Sequence, residues 1–190
     1  MKPLLVSVLL LAAVASTPAF AAQMQFNAPV GGNYYGVATY PYDFSVNGHD
    51  AWLMCVSYNE HIVGGETWQA TVLPITGLHN EQLAWLFLQA KQVAVTNPQL
   101  AADYNAAAWS LNEGVPGLDV PTQGIYNTIP TSFTPGEFNN VVMYVPIPGT
   151  ESWAGETPQT FLGAVPEPGS LLLMGSGILG AAGMLRRKLA

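Results

Sequence analysis

Two uncharged apolar segments bracket this chain of 190 residues and decide how much of it is free to build a folded domain. The first, Leu4 to Val14, follows Met1-Lys2 and runs into Ser16-Thr17-Pro18-Ala19-Phe20-Ala21. A basic start, an apolar core too short for a stable span, and small residues at Ala19 and Ala21 are the three parts of a secretory signal peptide, with the cut after Ala21. The second segment, Gly169 to Leu185, has about 17 residues, the lower limit for a helix that crosses a bilayer. Its Gly and Ala suit a membrane helix, and the lack of a polar face separates it from a helix lying on a membrane surface. Arg186, Arg187 and Lys188 follow at once, and basic residues beside a span stay cytoplasmic because carrying them across is costly. The expectation is an exported body over residues 22–163, with the last residues inside.

Charge confirms that the body is a separate compositional unit. Of five Lys and Arg, only Lys91 lies between the two terminal segments, against eleven of the twelve Asp and Glu. A body carrying −10 with His neutral excludes nucleic acid and anionic lipid surfaces as partners. Its length suits one domain with a real core.

Periodicity then gives the fold class. Gln23 to Asn33 reads as an irregular lead-in or edge strand. Tyr42, Phe44 and Val46 alternate with Asp43, Ser45 and Asn47, as a half-buried strand requires, and Asn47-Gly48 supplies a hairpin turn. Ala51 to Tyr58 is apolar on both faces and reads as a central strand. Gly64-Gly65 turns the chain into a further strand, in which Trp68, Ala70 and Val72 alternate with polar neighbours. In Asn80 to Val95 the period changes, with Leu83, Leu86, Phe87, Ala90 and Ala94 on one helical face. Asn97-Pro98 opens a second helix, closed by Gly114. "NNVVMYVPI" returns to strand. The reading is α+β, an antiparallel sheet, small barrel or sandwich with a two-helix insertion.

Candidate chemistry is sparse. Cys55 is the only cysteine, so no intramolecular disulfide forms, and a small buried hydrophobe is the plain reading. A cysteine hydrolase needs a convergent His and an orienting group; His49, His61 and His79 are present, but no spacing selects one and no nucleophile elbow occurs. His49-Asp50 and Glu60-His61 lack the paired spacing of a zinc or calcium loop. No enzyme activity, metal or cofactor is expected. The Trp and Tyr residues read mainly as core, with any exposed subset able to stack on polysaccharide.

The tail carries a resemblance. Val165-Pro166-Glu167-Pro168, the apolar run over residues 169–185 and the basic end over residues 186–190 resemble the tripartite PEP-CTERM sorting signal of Gram-negative envelopes, here residues 164–190. That resemblance implies exosortase, a membrane transpeptidase, as partner, besides signal peptidase and the general secretion machinery. It implies a transient inner-membrane anchor with the body in the periplasm, then transfer to the outer surface or extracellular matrix, often with exopolysaccharide. Two prolines keep the triplet extended, as a protease cleft requires.

The body also resembles a group of PEP-CTERM proteins through Cys55 with Gly65-Glu66-Thr67-Trp68, Leu83-Ala84-Trp85-Leu86, Asn105-Ala106-Ala107-Ala108-Trp109, and Pro158-Gln159-Thr160-Phe161-Leu162. That group resembles the thioester domains of bacterial surface adhesins, in which a cysteine sulfur bonds to a glutamine side-chain carbonyl. The resemblance places that bond between Cys55 and position 105, where Asn105 is one methylene shorter than the expected Gln. Three roles for the body therefore stand side by side: a non-enzymatic envelope or matrix protein, a covalent adhesin through Cys55 and Asn105, and a noncovalent polysaccharide-binding module.

Overall fold

A computed structural model of the protein describes residues 21–153 and 156–165. The expected signal peptide up to Phe20, the Pro166-Glu167-Pro168 triplet, the apolar tail segment and the basic end all lie outside the described residues. Among the described residues no helix is long and apolar enough to cross a membrane.

In chain order the elements are β1 (Ala21–Pro29), β2 (Asn33–Tyr34), β3 (Val37–Ala38), β4 (Tyr42–Val46), β5 (His49–Cys55), β6 (Thr67–Pro74), α1 (Leu78–Val93), α2 (Pro98–Glu113), α3 (Val120–Asn127), β7 (Val141–Pro146) and β8 (Phe161–Ala164). Six strands close an antiparallel barrel in the order β1-β4-β5-β8-β7-β6, while β2 and β3 form a separate small hairpin. The architecture is α+β, a barrel with helices inserted between β6 and β7.

The first strand corrects the expectation of an irregular or edge segment. β1 pairs with β4 on one side and with β6 on the other. Its Ala22, Met24 and Phe26 point inward while Gln23 and Gln25 face solvent. The β4–β5 hairpin forms as the sequence requires: Asn47 (φ 52°) and Gly48 (φ 81°) both adopt the left-handed conformation of a tight two-residue turn, and Val46 faces His49.

β5 begins earlier than expected and ends at Cys55, and its two apolar faces serve two cores. Leu53 and Cys55 join Phe44, Trp68 and Phe161 inside the barrel. Met54, followed by Val56 beyond the strand end, faces the helices and packs in a second core with Leu83, Leu86, Phe87, Ala107 and Ala108. Burying each of the large apolar side chains contributes roughly 1.5–3 kcal/mol.

The helices start and stop where their caps dictate. Asn97 accepts a hydrogen bond from the Leu100 N–H at 3.1 Å with Pro98 in the first turn, and Gly114 ends α2 in the left-handed conformation. The insertion holds three helices rather than two. α3 is short and contains Pro121 and Gly124, which hide its period, but Asp119 caps it by accepting from the Thr122 N–H at 3.0 Å.

The barrel closes through β8, which pairs with both β5 and β7. Gly163 lets these strands approach: a Cβ there would collide with the Leu53 side chain and sit 3.0 Å from the Tyr144 ring.

Candidate functional site

The candidate residues gather where β5 leaves the barrel and runs under α2. Cys55, the last residue of the strand, is fully buried, and its thiol donates to the Ser57 carbonyl oxygen at 2.8 Å. Beyond it the pairing with the segment entering β8 continues only through the Val56 N–H, which donates to the Thr160 carbonyl oxygen at 3.0 Å, so other polar groups there need further partners. One face of α2 supplies them. Asn105 Nδ2 donates to the Cys55 carbonyl oxygen at 2.8 Å, and Asn112 Nδ2 donates to that of Val56 at 2.9 Å. Glu113 Oε2 accepts from the Tyr58 N–H at 3.0 Å and the Asn59 N–H at 3.1 Å.

Asn105 has a second bond. Its Oδ1 accepts from the Tyr40 N–H at 2.8 Å, so one carboxamide bridges the segment entering β4 and the end of β5. Both Asn105 and Tyr40 are fully buried. The structure thus brings Cys55 and Asn105 together, through the Cys55 backbone rather than through a bond to its sulfur.

Burial pushes the Cys55 thiol well above its ordinary range. The nearby Trp109 indole and the hydrogen bond to Ser57 act in the opposite direction, and the carboxylates of Glu113 and Glu60 reinforce the upward shift. The Trp109 indole N–H completes no hydrogen bond among the described residues. A thiol held in this way is a weak nucleophile.

Gln159 is the residue that the sequence motif contained without revealing its role. Its Nε2 donates to the Ser57 carbonyl oxygen at 3.0 Å, the acceptor that Cys55 also uses, and to the Glu60 carbonyl oxygen. A cavity of about 270 Å3 lined by Val37, Tyr58, Asn59, His61, Trp109 and Gln159 opens beside this group. The sequence marks Gln159 only as part of the Pro158–Leu162 motif; no strand is expected after it, and β8 emerges only in the structure.

The other candidates separate. His49 sits at the start of β5, and His79, on α1, lies 3.2 Å from Asn112 Oδ1. Of the three histidines only His61 shares the cavity beside Gln159 and Trp109. Among the described residues no group of three His, Cys, Asp or Glu is placed to hold a metal ion.

Of the sorting residues, Ala21 begins β1 and pairs with Thr71, and Val165 follows β8 with its N–H bonded to the Asn140 carbonyl oxygen at 2.9 Å. Ala19, Pro166, Glu167, Pro168, Arg186, Arg187 and Lys188 lie outside the described residues. Neither the curated proteins nor the solved structures contain a match to the chain. Residues 164–188 match the family model described as the PEP-CTERM protein-sorting motif, overlapping the last residue of β8. The chain therefore carries at its C-terminal end the sorting motif of exported, cell-surface-associated proteins processed by exosortase.

Proposed function

We propose that the folded body is a non-catalytic module of the envelope or extracellular matrix, associated with the cell surface or its exopolysaccharide. In this reading the apolar tail holds it at the inner membrane until exosortase cuts near Pro166-Glu167-Pro168. The observation that carries it is the junction: β8 is a closing strand of the barrel and ends at Ala164, where the sorting motif begins. The signal is thus joined to the domain with Val165 alone between strand and triplet, so the barrel is the cargo. A non-catalytic role draws support from the buried, hydrogen-bonded thiol of Cys55 and from the separation of His49 and His79 from it.

Intact mass of the protein from an exosortase-positive host and from an exosortase-deleted one tests this. A product beginning at Ala22 and ending near Pro166 only where exosortase is present supports it. An uncut chain in both hosts leaves a plain anchored protein and removes the sorting reading.

A second reading, a covalent adhesin, is favoured by the convergence of sulfur and carboxamides at the end of β5. In a thioester the Cys55 sulfur attacks a side-chain amide carbon and ammonia leaves, with either Asn105 or Gln159 as the acyl donor. The same spectra decide it, since that product is lighter by one ammonia and takes up methylamine.

A further inference from the structure

The cavity beside Gln159 has a neighbour. A second cavity of about 320 Å3, whose walls include Phe26, Tyr42 and Ile62, shares Val37, His61 and Gln159 with the first, so these three residues mark where the two adjoin. Two carboxamides line this space, and the protein uses the same end of each. Gln159 directs Nε2 to the carbonyl oxygens of Ser57 and Glu60, and Asn59 directs Nδ2 to Glu113 Oε2 at 2.7 Å. Those acceptors fix which way each amide group points. Gln159 Oε1 and Asn59 Oδ1 are left without a donor among the described residues. Gln159 is only 8% exposed, it lines both cavities, and its Oε1 is not sealed inside the protein. An unpaired acceptor in a nearly buried side chain calls for a donor, and here a donor can reach it through the cavity.

Charge selects the kind of donor. No Lys or Arg lines either cavity, and Lys91, the single one in the body, lines a different cavity. Glu113 lies against the backbone of Tyr58 and Asn59, and Glu60 follows them in the same loop with its Oε2 buried and unpaired. In a body carrying −10 with His neutral, the field here favours a cation. An ammonium fits the two open oxygens because it donates and accepts nothing. The half-buried Tyr58 ring, packed edge-on against Trp109 at 5.2 Å, adds an aromatic surface of the kind that attracts cations. In the adjoining cavity Phe26 and Ile62 offer an apolar wall to a hydrocarbon stem. We infer that the two cavities together bind a small aliphatic primary amine in its ammonium form, with the charged end on Gln159 Oε1 and Asn59 Oδ1 and the stem along Phe26 and Ile62. The binding is reversible and Cys55 takes no part in it, so it stands apart from the covalent reading.

The histidines supply the readout, because His61 lines both cavities while His49 and His79 line neither. The imidazole proton resonances of the full-length chain in detergent, assigned with His61→Gln, are followed by NMR during titration with n-butylammonium chloride at fixed pH and ionic strength. n-Butanol, which carries the same stem with a neutral donor, is the control. The ammonium is expected to shift the His61 resonances saturably and leave the other two histidines in place, with butanol at least about tenfold weaker. Asn59 is exposed, so Asn59→Lys is expected to keep the wild-type melting profile, and its own ammonium at the cavity should weaken the probe about tenfold. Equal responses to the two probes, no shift at His61, shifts at all three histidines, or an unchanged affinity in a folded Asn59→Lys variant overturns the proposal. A mass increase that survives dialysis means covalent capture and overturns the reversible site as well.

Discussion

The thiol of Cys55 and the carboxamide of Gln159 donate to one acceptor, the Ser57 carbonyl oxygen, at 2.8 and 3.0 Å. A carbonyl has two lone pairs, and here both are engaged by residues far apart in sequence. The end of β5 is thereby tied to the segment that enters β8. The thiol is both buried and hydrogen-bonded, so it should be silent towards iodoacetamide at neutral pH and react on unfolding. Gln159→Leu should lower stability by about 1–3 kcal/mol and speed labelling of Cys55. Mass-detected alkylation with and without denaturant checks both. Fast labelling of the native wild type would show that the sulfur is open to solvent.

Asn105 performs a different task from the sulfur beside it. Replacing it with Leu leaves the Tyr40 N–H and the Cys55 carbonyl oxygen buried without partners, at a cost on the order of 3 kcal/mol. Chemical denaturation should report that loss. If Asn105→Leu is as stable as the wild type, the carboxamide is not the strut that its two bonds describe.

Gly163 sets the width of the barrel seam. Gly163→Ala drives a methyl group into Leu53 and Tyr144, and an overpacked core of this kind costs about 1–3 kcal/mol. A lowered melting temperature is expected, while Gly64→Ala, where the added Cβ meets only the Asn27 carbonyl oxygen at 3.6 Å, should be milder.

Two carboxylates make the fold respond to acid in an uncommon direction. Burial raises the pKa of Glu66 above its ordinary 4.5 and of Asp103 above its ordinary 3.8, against hydrogen bonds from the Val63 N–H and from Gln99 that favour the charged forms. The folded state therefore binds these protons before the unfolded chain does, and stability contributed by the two sites increases as pH falls through the raised values towards the ordinary ones. Thermal melts from pH 7 downward should show Glu66→Gln and Asp103→Asn less stabilised by mild acid than the wild type. A wild type and variants with identical pH slopes would show that neither group is linked to folding.

Much of this fold can be read from period and punctuation. The alternation of Tyr42, Phe44 and Val46, the Asn47-Gly48 turn and the Asn97 and Gly114 caps are local devices, and each appears where its chemistry requires. β1 was harder because Pro29 and the glycines after it masked an alternation already present in Ala22, Met24 and Phe26. α3 was hidden because Pro121 and Gly124 interrupt an eight-residue helix with no room for a clear period. Closure into a barrel depends on which distant strands pair, and no local signal joins Met54 to Leu162. The site divides in the same way. Cys55 and Asn105 were visible as motif residues, but the bonds from Asn105 to backbone groups of Tyr40 and Cys55, and the role of Gln159, arise only when remote segments meet.

The position of β8 has a consequence for export. A chain that crosses a membrane from its N-terminus delivers β1 to β7 first, and until Phe161–Ala164 arrive the paired faces of β5 and β7 remain open edges. The last residue of the final stave, Ala164, is thus also the first residue of the sorting handle. Folding and sorting then follow one clock: the body becomes a finished barrel only as its handle comes within reach of the enzyme that reads it.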